Sequence, residues 1–167
     1  MNRTKKMVTT SLLIAMAIII PVSFGFLRII IGPFTATIGA HIPMFVSMLI
    51  SPKVAAAVGF GSGMGFVLAG MPAPVVARAL MHIPVGVIGA KIIEKKKSMK
   101  YAALITSILH GILEGLVVIP FGFSMYEVVI VTAVGAILHH LADAGLTVLI
   151  FNKVASAMKK DMYVLFK

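Results

Sequence analysis

The chain of 167 residues contains no cysteine, no tryptophan and only five acidic residues. The absence of cysteine excludes disulfides, thiolate metal sites and cysteine nucleophiles. Charged residues make up 12% of the chain and hydrophobic residues 60%, well above the roughly 45–50% apolar content of a soluble domain. Together with a mean hydropathy of +1.09, this composition excludes a water-soluble globule.

The sequence also lacks the short motifs of common hydrolases and ATPases. It has no HExxH, no GxSxG nucleophile elbow and no P-loop, so catalysis of those kinds within this chain has little support. The glycine-rich stretch GFGSGMGFVLAG, residues 59–70, is not followed by GK[ST]. Its overlapping GxxxG spacings, Gly59/Gly63 and Gly61/Gly65, are typical of membrane helices that pack closely, and we predict that role for them.

The sequence contains many long apolar runs. A membrane-spanning helix needs about 20 mostly apolar residues, and the Pro, Gly and basic interruptions allow six of them. We therefore predict an all-α integral membrane protein, a six-helix bundle forming a single domain over residues 1–167. The approximate helix ranges are 7–24, 37–51, 52–70, 73–93, 100–121 and 127–152. The second range is short for a full span, which leaves open that residues 25–36 dip into the membrane.

The basic residues indicate the orientation, because Lys and Arg in short loops stay cytoplasmic. With the N-terminus inside, thirteen of the 15 basic residues fall on cytoplasmic segments, and the opposite connections hold only Arg28. The thirteen are Arg3, Lys5, Lys6, Lys53, Lys91, Lys95, Lys96, Lys97, Lys100, Lys153, Lys159, Lys160 and Lys167. The net charge of +10 is thus explained by both termini being cytoplasmic, with no nucleic-acid partner. A cleaved signal peptide is disfavoured because more membrane sequence follows the first apolar run.

Ionisable side chains inside membrane helices are costly, so each is a candidate for function. Three pairs lie four residues apart and so share a helix face. They are Arg78/His82, His110/Glu114 and His139/Asp143. At a rise of about 1.5 Å per residue these groups lie between the outer surface and the midplane, except Asp143, which lies deeper. We therefore expect a polar pocket that opens to the outside and holds a small polar molecule.

Alternatives remain open for the same residues. Arg78 and Glu114 are equally compatible with a structural ion pair, and Asp143 with a carboxylate that holds a histidine or a helix. One of the adjacent His139 and His140 must point away from the other, so at least one is expected to pack against or bond to a neighbouring helix. The HxxxE and HHxxD spacings also allow a metal-dependent intramembrane enzyme using His110, Glu114, His139 and Asp143, although we expect no metal. A structural or assembly protein, whose polar residues only pair with each other, is the third possibility.

Several segments resemble one family, the substrate-binding (S) components of energy-coupling factor vitamin transporters. The resemblance covers nearly the whole chain and rests on four segments. They are SLLIAMAIIIP, GPFTATIGAHIPMFVSMLISP, GFGSGMGFVLAG and APVVARALMHIPVGVIGA. It implies a six-helix vitamin-binding subunit in the plasma membrane of a prokaryote, which is not an enzyme and holds no cofactor. ATP would be used by two cytoplasmic ATPase subunits, which act through a membrane coupling subunit.

The resemblance also implies roles for particular residues. Ser11 and Ala15 match the small-xxx-small motif that contacts the coupling subunit in this family, with Ser replacing the first Ala. Residues 25–36 would form a lid over a vitamin held in the outer half of the bundle. The expected substrate-binding residues are Arg78, His82, His110, Glu114, His139, His41, Phe34 and Thr35. Arg78 suits a carboxylate, which favours nicotinate over hydroxymethylpyrimidine or pyridoxine.

Overall fold

A computed structural model describes residues 2–157, with side chains through Val154, so that Lys159, Lys160 and Lys167 of the orientation argument lie outside the described residues. The helices are α1 (Arg3–Ser23), α2 (Ile42–Met48), α3 (Pro52–Leu68), α4 (Ala73–Leu80), α5 (His82–Lys96), α6 (Met99–Val118) and α7 (Gly135–Ala157). The strands are β1 (Arg28–Ile31) and β2 (Phe34–Thr37). A π-helical segment, Glu127–Val134, leads directly into α7.

Within the described residues, four helical segments are long and apolar enough to cross a membrane. They are Arg3–Ser23, Ala73–Lys96, Met99–Phe121 and Glu127–Val154, so that α4 and α5 act as one span. The shorter α3 has 17 residues and is also apolar. These segments agree closely with five of the six predicted ranges, and the chain is a multi-pass, predominantly helical membrane protein.

The segment between α1 and α3 differs from the prediction. A span was expected over residues 37–51, but only the seven residues of α2 are helical, and residues 28–37 form an antiparallel hairpin. The backbone explains the difference, because Gly32 and Gly39 both adopt positive φ and Pro33 follows the first of them. Such conformations end regular helix on either side of β2. The six-span prediction is therefore supported only in part.

The glycines of α3 allow its neighbours to approach to backbone contact. A Cβ atom at Gly65 would lie 2.8 Å from the Cα of Ile18 in α1, and one at Gly59 would lie 2.7 Å from the backbone nitrogen of Ile83 in α5. Gly61 and Gly63 face side chains instead, those of Ile14 in α1 and Leu80 in α4. The close contacts at these glycines agree with the packing role predicted from the GxxxG spacings. Because α3 fixes α1, α4 and α5 in this way, it sets the frame around the polar residues.

The apolar core lies on the side of the bundle where α2, α5 and α6 meet. It is formed by Met44, Phe45, Met48, Ala55, Val85, Ala90, Met99 and Ala103. Phe45 is fully buried, which makes the short α2 a central element despite its length. Just before α2, His41 enters the bundle interior and is 2% exposed.

The hairpin lies across the end of the bundle at which α1 ends and α4 begins. All four residues of β2 are buried, whereas Ile29, Ile30 and Ile31 of β1 are exposed. In the hairpin register Arg28 pairs with Thr37 and Ile31 with Phe34. Strand β2 thus packs on the polar interior of the bundle, and strand β1 faces away from it.

A buried polar cluster beneath the hairpin

All five histidines of the chain converge in one cluster with Arg78, Glu114 and Asp143. The members come from the start of α2, from α4 and α5, from α6 and from α7. Seven of the eight side chains are at most 6% exposed, and His139 is 12% exposed. Polar groups at this depth require partners, because an unpaired buried donor or acceptor costs about 1–3 kcal/mol.

Arg78 joins α4, α6 and the hairpin. Its Nε and Nη2 donate to Oε2 of Glu114 at 3.1 and 2.7 Å. Its Nη1 donates to the carbonyl of Pro33 at 2.8 Å and to Oγ1 of Thr35 at 3.3 Å, and Nη2 donates to the carbonyl of Thr35 at 3.2 Å. A guanidinium has five N–H donors, and these five contacts use all of them. The ion pair that the sequence left open is therefore present, and the hairpin completes it.

A line of close polar contacts continues from Glu114 into the interior. Its Oε1 lies 3.0 Å from Nε2 of His110, and Nδ1 of His110 lies 3.0 Å from Nδ1 of His140. The Nε2 of His140 lies 3.0 Å from Oγ1 of Thr106, whose hydroxyl donates to the carbonyl of Ala102 at 2.7 Å. The line connects α6 to α7 through polar side chains alone.

Asp143 fastens the segment between β2 and α2 to α7. Its Oδ1 accepts from the backbone N–H of Gly39 at 2.9 Å, and its Oδ2 accepts from the backbone N–H of His41 at 3.0 Å. Oδ2 also lies 2.9 Å from Nδ1 of His41 and 3.2 Å from Nε2 of His139. Asp143 therefore holds two histidines and a backbone turn, which agrees with the structural alternative for this residue.

A small cavity lies between the cluster and the hairpin. Its volume is about 20 Å³, room for about one water molecule. Its lining includes Thr35, His41, Arg78, His82, Glu114 and His139. The Nδ1 of His82 is fixed by Oγ of Ser62 at 2.8 Å.

All eight residues expected to bind substrate come together in the structure. Six of them line the cavity, while His110 lies behind Glu114 and Phe34 covers Arg78 with its ring centre 5.2 Å from Cζ. Of the two adjacent histidines, His139 lines the cavity and His140 turns toward α6.

Thr106 and the inward position of His140 were not expected. A signal for Thr106 exists, because Thr106, His110 and Glu114 recur every four residues and therefore form one stripe along α6. No comparable signal exists for His140, since the sequence gives no reason to choose it over its neighbour.

Ser11 and Ala15 lie on the opposite face of α1 from the bundle. Both are exposed, whereas Leu13 and Ala17 of the same helix are buried against the bundle. The hydroxyl of Ser11 donates to the carbonyl of Met7 within its own helix, at 3.1 Å. The small-xxx-small pair is therefore available to a neighbour outside this chain.

The structure thus consists of membrane-crossing helices around a buried polar cluster. These features define a multi-pass membrane protein with an enclosed polar site. No protein-family model matches the chain, and no solved structure matches it. The chain is 31% identical to the niacin transporter NiaX of Lactococcus lactis subsp. cremoris (strain MG1363), over 98% of this chain and 82% of that protein. It belongs to the S components of energy-coupling factor transporters. The expected family is thus confirmed, and the chain is a vitamin-transporter subunit and not an enzyme.

Proposed function

We propose that this chain binds nicotinate beneath the hairpin and delivers it across the membrane, driven by ATP hydrolysis in partner subunits. The transporter that it resembles is named for niacin, which is a pyridine carboxylate and carries one negative charge at neutral pH. The observation that carries the proposal is Arg78, a buried cation at the edge of the cavity. Buried carboxylates are bound most strongly by guanidinium groups.

The hairpin contacts of Arg78 suggest how the substrate enters. Every donor of Arg78 is used, and three of its five hydrogen bonds go to oxygens of Pro33 and Thr35. A cavity of about 20 Å³ does not hold a molecule of nine heavy atoms. The hairpin must therefore lift, and the carboxylate oxygens of nicotinate then replace the hairpin oxygens on Arg78. The contact of Arg78 with Glu114 persists during this exchange and keeps the guanidinium in place.

Isothermal titration calorimetry on detergent-purified protein tests the substrate and the role of Arg78 together. Nicotinate should bind more tightly than nicotinamide, hydroxymethylpyrimidine or pyridoxine. Arg78→Gln should weaken nicotinate binding about 100-fold, because truncating one partner of a buried charge pair costs about 2–5 kcal/mol. Lys53→Gln removes an exposed cation at the start of α3 and serves as the charge-matched control. Unchanged nicotinate affinity in Arg78→Gln, or tighter binding of a neutral ligand, would contradict the proposal.

The exposed face of α1 with Ser11 and Ala15 is proposed to contact a membrane coupling subunit, which connects this chain to two ATPase subunits. Ala15→Phe should abolish uptake by cells while purified protein still binds nicotinate, because the bulky ring blocks close helix approach. Met16→Phe changes an exposed position on a different face of α1 and should leave uptake intact. Loss of ligand binding in Ala15→Phe would instead assign this face to the folding of the bundle.

We further propose that both termini are cytoplasmic and that the hairpin faces outward. Because the chain has no cysteine, single cysteines can be labelled in intact cells without background. A membrane-impermeant thiol reagent should label Met125→Cys, between α6 and the π-helical segment, and spare Lys96→Cys at the end of α5. Both positions are exposed in the structure, so a difference in labelling reports the side of the membrane and not burial of the thiol. The reverse pattern of labelling would invert the topology.

A further inference from the structure

Three histidines of the cluster have one ring nitrogen fixed by an oxygen. Nδ1 of His41 lies 2.9 Å from Asp143, and Nε2 of His110 lies 3.0 Å from Glu114. Nε2 of His140 lies 3.0 Å from the hydroxyl of Thr106. Since that hydroxyl donates its own proton to a backbone carbonyl, it accepts from His140. Two carboxylates and one hydroxyl thus hold an N–H of each ring.

The other nitrogens of these three rings face one another. For neutral imidazoles these bonds place the proton on Nε2 of His110 and of His140, so that Nδ1 of His110 and Nδ1 of His140 would both carry lone pairs, yet they lie 3.0 Å apart. Nε2 of His41 is buried and has no hydrogen-bond partner among the described residues. One nitrogen from each of the three rings lies within 4.8 Å of the other two. Three lone pairs converging in a buried site repel one another unless a cation lies between them.

We propose that His41, His110 and His140 bind a divalent transition-metal ion of the zinc type. Histidines that bind metals donate their second N–H to a carboxylate or a neutral acceptor, which orients the free nitrogen toward the ion. Asp143, Glu114 and Thr106 supply that arrangement here. Two nitrogens bound to one tetrahedral ion at about 2.0–2.1 Å lie about 3.3–3.4 Å apart, so His110 and His140, at 3.0 Å, would need to separate by only a few tenths of an ångström. The site departs from the expectation that this chain holds no metal.

The charges of the cluster favour such an ion. Arg78, Glu114 and Asp143 together carry one net negative charge, which is costly in a membrane interior. A bound dication turns this into one net positive charge, and a monoanionic substrate then makes the assembly neutral. Because His41 also lines the cavity, an open coordination position of the ion would face the substrate. This coupling to substrate rests on the proposed function, whereas the metal site itself does not.

The test measures metal without nicotinate, so that its outcome is independent of the substrate. Tag-free protein is stripped with a chelator and titrated with Zn²⁺ and Co²⁺, and bound metal is quantified by elemental analysis. We expect one ion per chain, with visible d–d absorption of the Co²⁺ form that reports nitrogen ligands. This spectrum is recorded on the wild-type protein and needs no variant to fold.

Two substitutions then assign the ligands. His140→Gln should weaken Zn²⁺ binding at least 100-fold. Glu94→Gln is the control, because Glu94 is an exposed carboxylate near the end of α5 and lies outside the cluster, and this variant should bind Zn²⁺ as the wild type does. Failure of the wild-type protein to bind stoichiometric metal would overturn the proposal and leave a proton between His110 and His140. Equal loss in both variants would overturn the assignment of the three ligands.

Discussion

Two contact regions of this molecule differ in chemistry, because one is apolar and the other is polar. Where α3 meets α1 and α5, glycines bring apolar helices to backbone contact. Where the hairpin meets the bundle, contact is made by Arg78 and Asp143, through hydrogen bonds to backbone groups and a small cavity. The first contact leaves no space between rigid backbones, while the second consists of bonds that a polar ligand can replace. We infer that α3 belongs to the fixed scaffold and the hairpin to the part that moves.

The outer side of the hairpin supports the same distinction. An apolar groove of about 540 Å³ separates its edge from the π-helical segment and α7. The groove is lined by Ile29, Ile31, Phe34, Ile130, Val134 and Leu138, among others. Beside this groove the hairpin contacts α7 at two points, where Nε2 of His139 lies 3.2 Å from the carbonyl of Thr37 and where Phe34 packs on Gly135. None of the glycine contacts of α3 involves the hairpin, so the hairpin can lift without disturbing them.

The largest effect is expected where backbones touch. In Gly65→Ala the new methyl group would meet the Cα of Ile18 and the carbonyl of Ala17 at 2.8–2.9 Å, and neither atom can rotate away. Overpacking of this kind costs typically about 1–3 kcal/mol and sometimes more, and we expect about 3 kcal/mol or more here. The measurement is the free energy of unfolding in detergent, together with the yield of monodisperse protein.

Gly145→Ala in α7 is the control for this prediction, since a Cβ there meets no described atom within 4 Å. It should be neutral or slightly stabilising, because Ala has the higher helix propensity. Equal destabilisation by both substitutions would show that α3 is no more tightly packed than the lipid-facing side of α7.

A smaller effect is expected at Asp143. Asp143→Asn replaces one of two accepting oxygens by an NH₂ group, which then faces either the N–H of Gly39 or the N–H groups of His41. We expect a loss of about 1–3 kcal/mol in the free energy of unfolding, the cost of an unsatisfied buried donor. Nicotinate affinity should fall in parallel, because His41 borders the cavity.

The comparison substitution is Glu127→Gln. Glu127 is partly exposed and the contacts of its carboxylate are to Ser124 in the adjacent turn, so the expected loss is below about 1 kcal/mol. If Asp143→Asn were as mild as this control, the segment before α2 would not depend on α7 for its position.

The same contrast explains how much the sequence could predict. Long apolar runs and glycine spacings are local signals, so the four membrane-crossing segments and the packing of α3 followed from them. The i, i+4 pairs likewise indicated which polar side chains share a face. The hairpin was missed because Ile29–Ile31 and Phe34–Thr37 are short apolar runs, for which periodicity does not separate strand from helix. The contact of His41 with Asp143 joins residues 102 positions apart, and no local sequence pattern indicates it.

The smallest effect is expected at Gly135, where α7 begins and Phe34 packs against it. A Cβ there would lie 3.0 Å from Cδ2 and Cε2 of the Phe34 ring, so the ring must shift by a few tenths of an ångström. The strain falls on the hairpin, while α7 gains up to about 1 kcal/mol of helix propensity from the same change. In Gly135→Ala the melting temperature should therefore stay nearly constant and the dissociation rate of nicotinate should rise about threefold. Gly145→Ala has the same gain in propensity without the contact to Phe34, so its dissociation rate should not change. If the two variants released nicotinate at the same rate, the packing of Phe34 on α7 would contribute nothing to closing the hairpin.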